Sequence, residues 1–377
     1  AALLLAAILV VTLTAVGFAD HGKVIDAQGA ELIYEADGQT FHLALSFESQ
    51  GGAPFFGQPL FTVEVREDQV RGQVSSSRVF VDNGGGVAKK NEFLALVDHY
   101  EVTTTPCDGI TLLQIDETCI PTNSNAAIEA IPSYHTEQLK EGEGNVIWTI
   151  YLKNGDTLRL RHTVKITRVP VVMLTENDYP MATIDDLNEL LDTLAHEADR
   201  KSVYILQLPA VTYEGGLTMK NFCCDLVGSE GGTTFTGTVT IATRGIHPSN
   251  ITNVRFVGDG TGIGLSASEG AFLHRCTFEN WEIGAYGGLG SWVNATGCTF
   301  RGNGVGLWLD NRGGATCSGS YYGDSVYEDN GIAVRIAAMP GTETLDFNNC
   351  VFRGNGVNVE NAAGYTVDLS QIVTADN

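Results

Sequence analysis

Two groups of side chains in the C-terminal half are of types that could do chemistry. Asp310, Asp324, Glu328 and Asp329 form a candidate set of carboxylates. Paired carboxylates can divide into a general acid and a general base, and clustered ones can hold a divalent cation. Tyr286, Trp308 and Arg335 offer two aromatic surfaces and a guanidinium, residue types on which a sugar ring or another flat ligand stacks. Each group has a plain structural reading beside it. The acids suit a solvated rim of loop and turn, and Trp308 suits a ring covered by a loop and braced by Arg335.

What must position both groups is an internal repeat. Cys276-Thr-Phe-Glu-Asn-Trp-Glu-Ile283, Cys298-Thr-Phe-Arg-Gly-Asn-Gly-Val305, Val326-Tyr-Glu-Asp-Asn-Gly-Ile332 and Cys350-Val-Phe-Arg-Gly-Asn-Gly-Val357 share one pattern. Its aromatic positions, Phe256, Phe278, Phe300, Tyr327 and Phe352, recur at the length of one coil of a β-solenoid. Stacked about 4.8 Å apart, such coils would place like residues in columns. The aromatics and Cys276, Cys298 and Cys350 would point inward. Asn303, Asn330 and Asn355 would form a ladder at a turn, with Gly304, Gly331 and Gly356 taking positive φ at the bend. Glu279, Arg301, Glu328 and Arg353 would alternate in charge up the outer face.

Period-two alternation sends Ile283/Ala285, Val305/Leu307, Ile332/Val334 and Val357/Val359 inward. It therefore sends the small column Gly284, Gly306, Ala333 and Asn358 outward, beside a second outward column of Tyr286, Trp308, Arg335 and Glu360. Small residues next to exposed aromatics would make a shallow platform.

On these residues the chain resembles the right-handed parallel β-helix family, the pectin-lyase-like fold, over residues 170–377. The resemblance implies a mainly β chain. A cap helix is expected near 183–197, with Ile184, Leu187, Leu190, Leu191 and Leu194 at helical spacing, then a first coil over Val203–Met219 and a second over Leu226–Phe235. Family members include lyases, hydrolases, adhesins and sensors, so the fold does not fix an activity. The Asn-Thr-Asp, Gly-His-Gly and Arg-Ile-Lys motifs of polygalacturonase-like enzymes are missing from the solenoid, and Asp185-Asp186 lies in the cap helix. Calcium enters only if the carboxylates around Asp310, Asp324 and Asp329 served a lyase; otherwise no cofactor is expected.

Residues 20–169 carry strand signals and read as an antiparallel sheet or small sandwich, with a hairpin over Val146–Ile166 turning at Asn154-Gly155. The stretches 84–86 and 106–132 read as loops, and Val169–Pro180 as the link between domains. Residues 1–19 are apolar up to Phe18 and fit a signal peptide or a transmembrane segment equally. Either places the chain beyond Asp20 outside the cytoplasmic membrane. This order also resembles the C-terminal part of bacterial membrane metallopeptidases of the β-lactam-sensor type, in which the zinc motif would lie upstream of Ala1. His196-Glu197-Ala-Asp-Arg200 is not that motif, because position 200 is Arg.

A formal charge of −23, from 45 acids against 22 bases, argues against nucleic acid and anionic membrane surfaces as partners. A membrane would be a partner only through an uncleaved N-terminal segment. Among eight cysteines there is no Cys-x-x-Cys pair, so a structural zinc site is not expected, while Cys107 and Cys119 could pair across a loop. The leading expectation is a non-catalytic extracytoplasmic module that binds or senses a glycan or another cell-envelope ligand at Tyr286, Trp308 and Arg335. The alternatives are a polysaccharide lyase or hydrolase using Asp310, Asp324 and Asp329, and a structural stalk or adhesin.

Overall fold

The computed structural model describes residues 22–47, 57–69, 71–82, 86–105, 112–121, 125–135, 141–197, 202–220, 223–242, 248–288, 291, 293–310, 322–338, 345–364 and 366–374. The chain divides into two compact units. One contains residues up to Val63 and Val70–Thr167, and the other contains Glu64–Gln69 and Arg168–Asn377. The apolar stretch 1–19 lies outside the described residues. Among those described, no helix is long and apolar enough to cross a membrane.

In the N-terminal unit, alternation of apolar and polar residues builds two sheets. Gly142–Leu152 and Thr157–Val169 pair antiparallel around the Asn154-Gly155 turn, where Gly155 has φ 87° and Asn154 Oδ1 accepts from the Asp156 amide at 3.0 Å. Val24–Asp26, Leu60–Arg66 and Val97–Thr104 complete this sheet. The second is antiparallel, in the order Glu31–Ala36, Gln39–Phe47, Ser77–Val81, Ile128–His135 and Arg71–Gln73, with Leu112–Cys119 also on Ile128–His135. The stretch 106–132 is thus not all loop, because Leu112–Cys119 and the start of Ile128–His135 find ladder partners. Cys107 lies outside the described residues, and any pairing with Cys119 with it.

The C-terminal unit is a solenoid of parallel strands in three long sheets. The first runs from Val171–Leu174 through Val203–Gln207, Cys223–Val227, Ser249–Thr252 and Ala271–His274 to Val293–Thr296. The second begins at Thr212–Tyr213 and continues through Thr233–Phe235, Val254–Val257, Thr277–Glu279, Thr299–Arg301, Val326–Glu328 and Val351–Arg353 to Val373–Thr374. The third comprises Leu217–Lys220, Val239–Ala242, Ile263–Ala267, Ile283–Gly287, Val305–Asp310, Ile332–Ala338 and Val357–Asn361.

Helix α1 (Val87–Leu96) belongs to the first unit, and α2 (Ile184–Glu197) closes one end of the solenoid core. Thr183 caps α2: its Oγ1 accepts from the Asp186 amide at 3.2 Å while Asp186 Oδ2 accepts from the Thr183 amide at 2.8 Å, a reciprocal cap. The apolar stripe Leu187, Leu190, Leu191 and Leu194 is buried in the same core as Tyr213 and Leu217.

The aromatic column extends further upstream than the repeat announces, starting at Tyr213 and Phe235. Ring centroids from Tyr213 to Phe352 are separated by 4.8, 6.0, 4.5, 5.0, 5.0 and 4.9 Å, all stacked. Each such contact contributes about 0.5–1.5 kcal/mol beyond the area it buries. Beside it, the Cys276 and Cys298 thiols donate to the Ile251 and Leu273 carbonyls of the preceding coil at 3.2 and 3.5 Å. Ser325 fills the same column, its Oγ donating to Ala295 O at 3.0 Å and accepting from the Cys298 amide at 3.1 Å.

The turn joining the second and third sheets is held by asparagine. Asn303 Nδ2 donates to Asn330 Oδ1, and Asn330 Nδ2 to Asn355 Oδ1, each at 3.0 Å. Asn330 Oδ1 also accepts from the Asn303 amide, and Asn355 Oδ1 from the Asn330 amide, each at 3.0 Å. On the coil before Asn303, Trp281 takes the equivalent place, its amide donating to Asn303 Oδ1 at 3.0 Å.

The positive φ at this bend is not at Gly304, Gly331 or Gly356. It falls two residues after the aromatic, on Asn280 (57°), Gly302 (63°), Asp329 (55°) and Gly354 (63°). The three glycines answer a different need. A Cβ on Gly304, Gly331 or Gly356 would lie 2.7 Å from a carbonyl oxygen of the preceding coil. Gly331→Ala is therefore expected to cost about 1–3 kcal/mol. Tyr327→Phe should stabilise by about 1 kcal/mol, because the Tyr327 hydroxyl is buried without a hydrogen-bond partner. Urea unfolding of the two variants checks both signs.

Candidate functional site

The third sheet sets the register of the outward column: Ser266, Tyr286, Trp308, Arg335 and Glu360 are successive partners across adjacent strands. The three residues singled out from sequence are therefore neighbours. The Tyr286 and Trp308 rings meet edge to face, with centroids 5.6 Å apart and planes at 81°. The Arg335 guanidinium lies over the Trp308 ring, 4.8 Å from its centroid, and its Nε donates to Glu360 Oε1 at 2.6 Å. Tyr286 Oη donates to Asp310 Oδ2 at 3.3 Å. Tyr286, Trp308 and Arg335 are each part-buried, and the indole Nε1–H of Trp308 has no hydrogen-bond partner.

The column is a braced stack more than an open platform. Arg335 rests on the indole, and the small residues do not widen the surface. Gly284, Gly306 and Ala333 are buried, and a Cβ on Gly284 would meet Phe278 Cβ at 3.2 Å and Phe300 Cδ1 at 3.3 Å. They face the aromatic column, contrary to strict alternation. The ladder shows why: Ile283 pairs with Val305 and Ala285 with Leu307, while Gly284 and Gly306 are skipped as the backbone turns out of the bend. Beyond that bend Val357 is exposed, not inward.

The carboxylate set is dispersed. Asp324 and Asp329 occupy left-handed turn positions (φ 57° and 55°) on either side of Val326–Glu328. A three-residue strand separates them. Asp324 accepts from Asn349 Nδ2 at 3.2 Å, and Asp310 ends a strand of a different sheet. Glu328 sits between Arg301 and Arg353, bonded to both, and Arg301 also reaches Glu279 at 3.1 Å. Among the described residues no group of three or more His, Cys, Asp or Glu side chains is placed to hold a metal ion.

Two features were beyond sequence reasoning. Arg66 Nη1 donates to the buried Asp225 Oδ2 at 2.6 Å, and Asn250 donates to Asp225 Oδ1 through its amide at 2.8 Å and through Nδ2 at 3.1 Å. The residues are too far apart in the chain for spacing to reveal them, and every charge there is answered. An open groove of about 430 Å³ lies where Thr175–Asn177, Gln207–Pro209 and Val227–Ser229 follow successive strands of the first sheet. Two of the column thiols are withdrawn from nucleophilic use: burial pushes Cys350 up to about 11 and raises Cys298 as well.

The comparison with family models matches residues 229–372 to a right-handed β-helix region. The solenoid is a β-helix. No curated protein and no solved structure matches the chain. The β-helix match covers the repeat and the outward column, and leaves residues before 229 unmatched.

The charged ladder predicts how this β-helix responds to acid. Burial works to raise the Glu328 carboxyl, but the hydrogen bonds and charges of Arg301 and Arg353 outweigh it and hold the group below the ordinary glutamate range. A depressed folded value gives stability that is present above the unfolded value, about 4.3, and lost as pH falls through the lower folded one. Urea unfolding between pH 5 and 3 should show β-helix stability falling in wild type and falling less steeply in Glu328→Gln.

Proposed function

We propose that the chain is a non-catalytic, extracytoplasmic β-helix module that binds an uncharged or weakly charged glycan along the third sheet, at Tyr286, Trp308 and Arg335. One observation carries this reading. A part-buried Trp308 is fixed between Tyr286 and Arg335 on three successive strands, edge to face with the tyrosine ring and under the guanidinium. Aromatic edges supply apolar contact for a sugar face. Asp310, Arg335 and Glu360 supply polar groups for hydroxyls.

The formal charge of −23 favours an uncharged ligand over a polyuronate, which the protein would repel. The dispersal of Asp310, Asp324 and Asp329 favours binding over cleavage. An extracytoplasmic setting is proposed from the apolar residues 1–19, whether they are a cleaved signal or an anchor.

Glycan-array binding by the full chain should yield a neutral oligosaccharide ligand whose affinity falls at least tenfold in Trp308→Ala and is unchanged in Asp324→Asn. Binding that survives Trp308→Ala removes this face from consideration. Incubation with pectins and neutral glycans, with and without calcium, should release no reducing ends and no unsaturated product; either product would instead establish a lyase or hydrolase.

A further inference from the structure

The core of the N-terminal unit contains a polar relay that the binding proposal does not use. Trp148 Nε1 donates to Ser77 Oγ at 2.8 Å, and Ser77 Oγ lies 2.7 Å from His162 Nε2. Tryptophan can only donate, so Ser77 Oγ accepts from Trp148; the relay is completed when the serine proton points to His162 Nε2, the one ring nitrogen in reach. His162 is then neutral with its proton on Nδ1, and Nδ1 has no hydrogen-bond partner. The imidazole is 1% exposed and stacks on Phe47 with centroids 3.8 Å apart. Ser77 and Phe47 belong to one sheet, Trp148 and His162 to the other, so the relay links the two.

A Ser–His contact of this length would suit nucleophilic catalysis at a surface. Here Ser77, Trp148 and His162 are all closed to solvent, and no substrate reaches the hydroxyl. The consequence is electrostatic. Adding a proton makes both ring nitrogens donors, so Nε2 would present a hydrogen to a Ser77 oxygen that already receives one from Trp148, and the displaced serine proton would need another acceptor.

Among the described residues, the core-facing neighbours give no compensation. They are Leu160 and Val164 on the strand of His162, Val146 and Trp148 on Gly142–Leu152, Leu45 and Phe47 on Gln39–Phe47, and Ser77 and Val79 on Ser77–Val81. Arg159, Arg161, Lys165, Glu143, Arg78, Glu64 and His42 alternate onto the opposite faces of their strands; Arg168 is exposed beside Glu67, and the buried Arg66 is bonded to Asp68 and Asp225. Among the described residues the main chain of Gln58 favours the charge, though it does not reach hydrogen-bond geometry with Nδ1.

We propose that His162 is an acid-operated latch between the two sheets of the N-terminal unit, closed while the imidazole is neutral and opened by its protonation. Burial depresses the imidazole to about 3, despite Gln58. An unfolded histidine titrates near 6.5. A depressed histidine stabilises fully above the unfolded value, and the contribution is lost as pH falls from there toward the folded one. The opening equilibrium constant should therefore rise about tenfold per pH unit below roughly 6.5.

Hydrogen exchange of the full chain from pH 7.5 to 5.0, corrected for intrinsic rates, reads this directly. Peptides covering Gly142–Leu152 and Thr157–Val169 should lose protection with that slope in wild type, and without it in His162→Gln, whose amide oxygen can still accept from Ser77. An equal slope in the variant, or none in wild type, overturns the proposal. Should the variant fail to fold, nitrogen NMR of wild type decides. The folded protein at pH 5.5 should show a neutral, Nδ1-protonated His162, and a charged imidazole there would overturn the latch.

Discussion

In the β-helix, side-chain amides join consecutive coils at the turn where the second sheet passes into the third. Asn303, Asn330 and Asn355 each donate to the main chain of the preceding coil, at Phe278, Phe300 and Tyr327, at 3.0, 2.9 and 2.9 Å. Asn303 and Asn330 also reach the next asparagine. A buried amide is costly unless every hydrogen bond is made, so any slip of one coil against the next breaks several bonds at once. That constraint fixes register on both sides of the turn. Before it, rings stack at 4.5–5.0 Å from Phe256 to Phe352. After it, Tyr286, Trp308, Arg335 and Glu360 are brought into one column.

The conspicuous repeat residues are thus used up in holding the coils. The aromatics fill the interior, the cysteines bond neighbouring carbonyls, and Glu328 bridges two arginines. The residues not used in this way are those that differ from coil to coil. Ser266, Tyr286, Trp308, Arg335 and Glu360 share one column yet share no chemistry, and their sequence gives them a graded strip running from hydroxyl through aromatic to charge.

Columns of like residues were legible in the sequence because in-register stacking demands them. So was the cap helix, through Leu187, Leu190, Leu191 and Leu194. Direction at the bend was not. Alternation assumes an unbroken strand, and the chain leaves the turn only after Gly284 and Gly306, which therefore face inward. The left-handed residues were hidden for a related reason: Asn280, Gly302, Asp329 and Gly354 share a conformation but not a residue type. Tyr213 and Phe235 lacked the flanking Cys and Asn-Gly that mark later coils. The contacts of Arg66 with Asp225 and of Ser77 with His162 join segments that no local pattern connects, and only the folded chain reveals them.

The asparagine turn, through fully bonded interior amides, holds the coils in register beneath the outward column. Side-chain amide exchange at Asn330, followed by NMR in the folded protein, measures it most directly. Both Nδ2 protons, bonded to Phe300 O at 2.9 Å and Asn355 Oδ1 at 3.0 Å, should exchange only when the β-helix unfolds. Exchange at the rate of a solvated asparagine, with the β-helix intact, would contradict it.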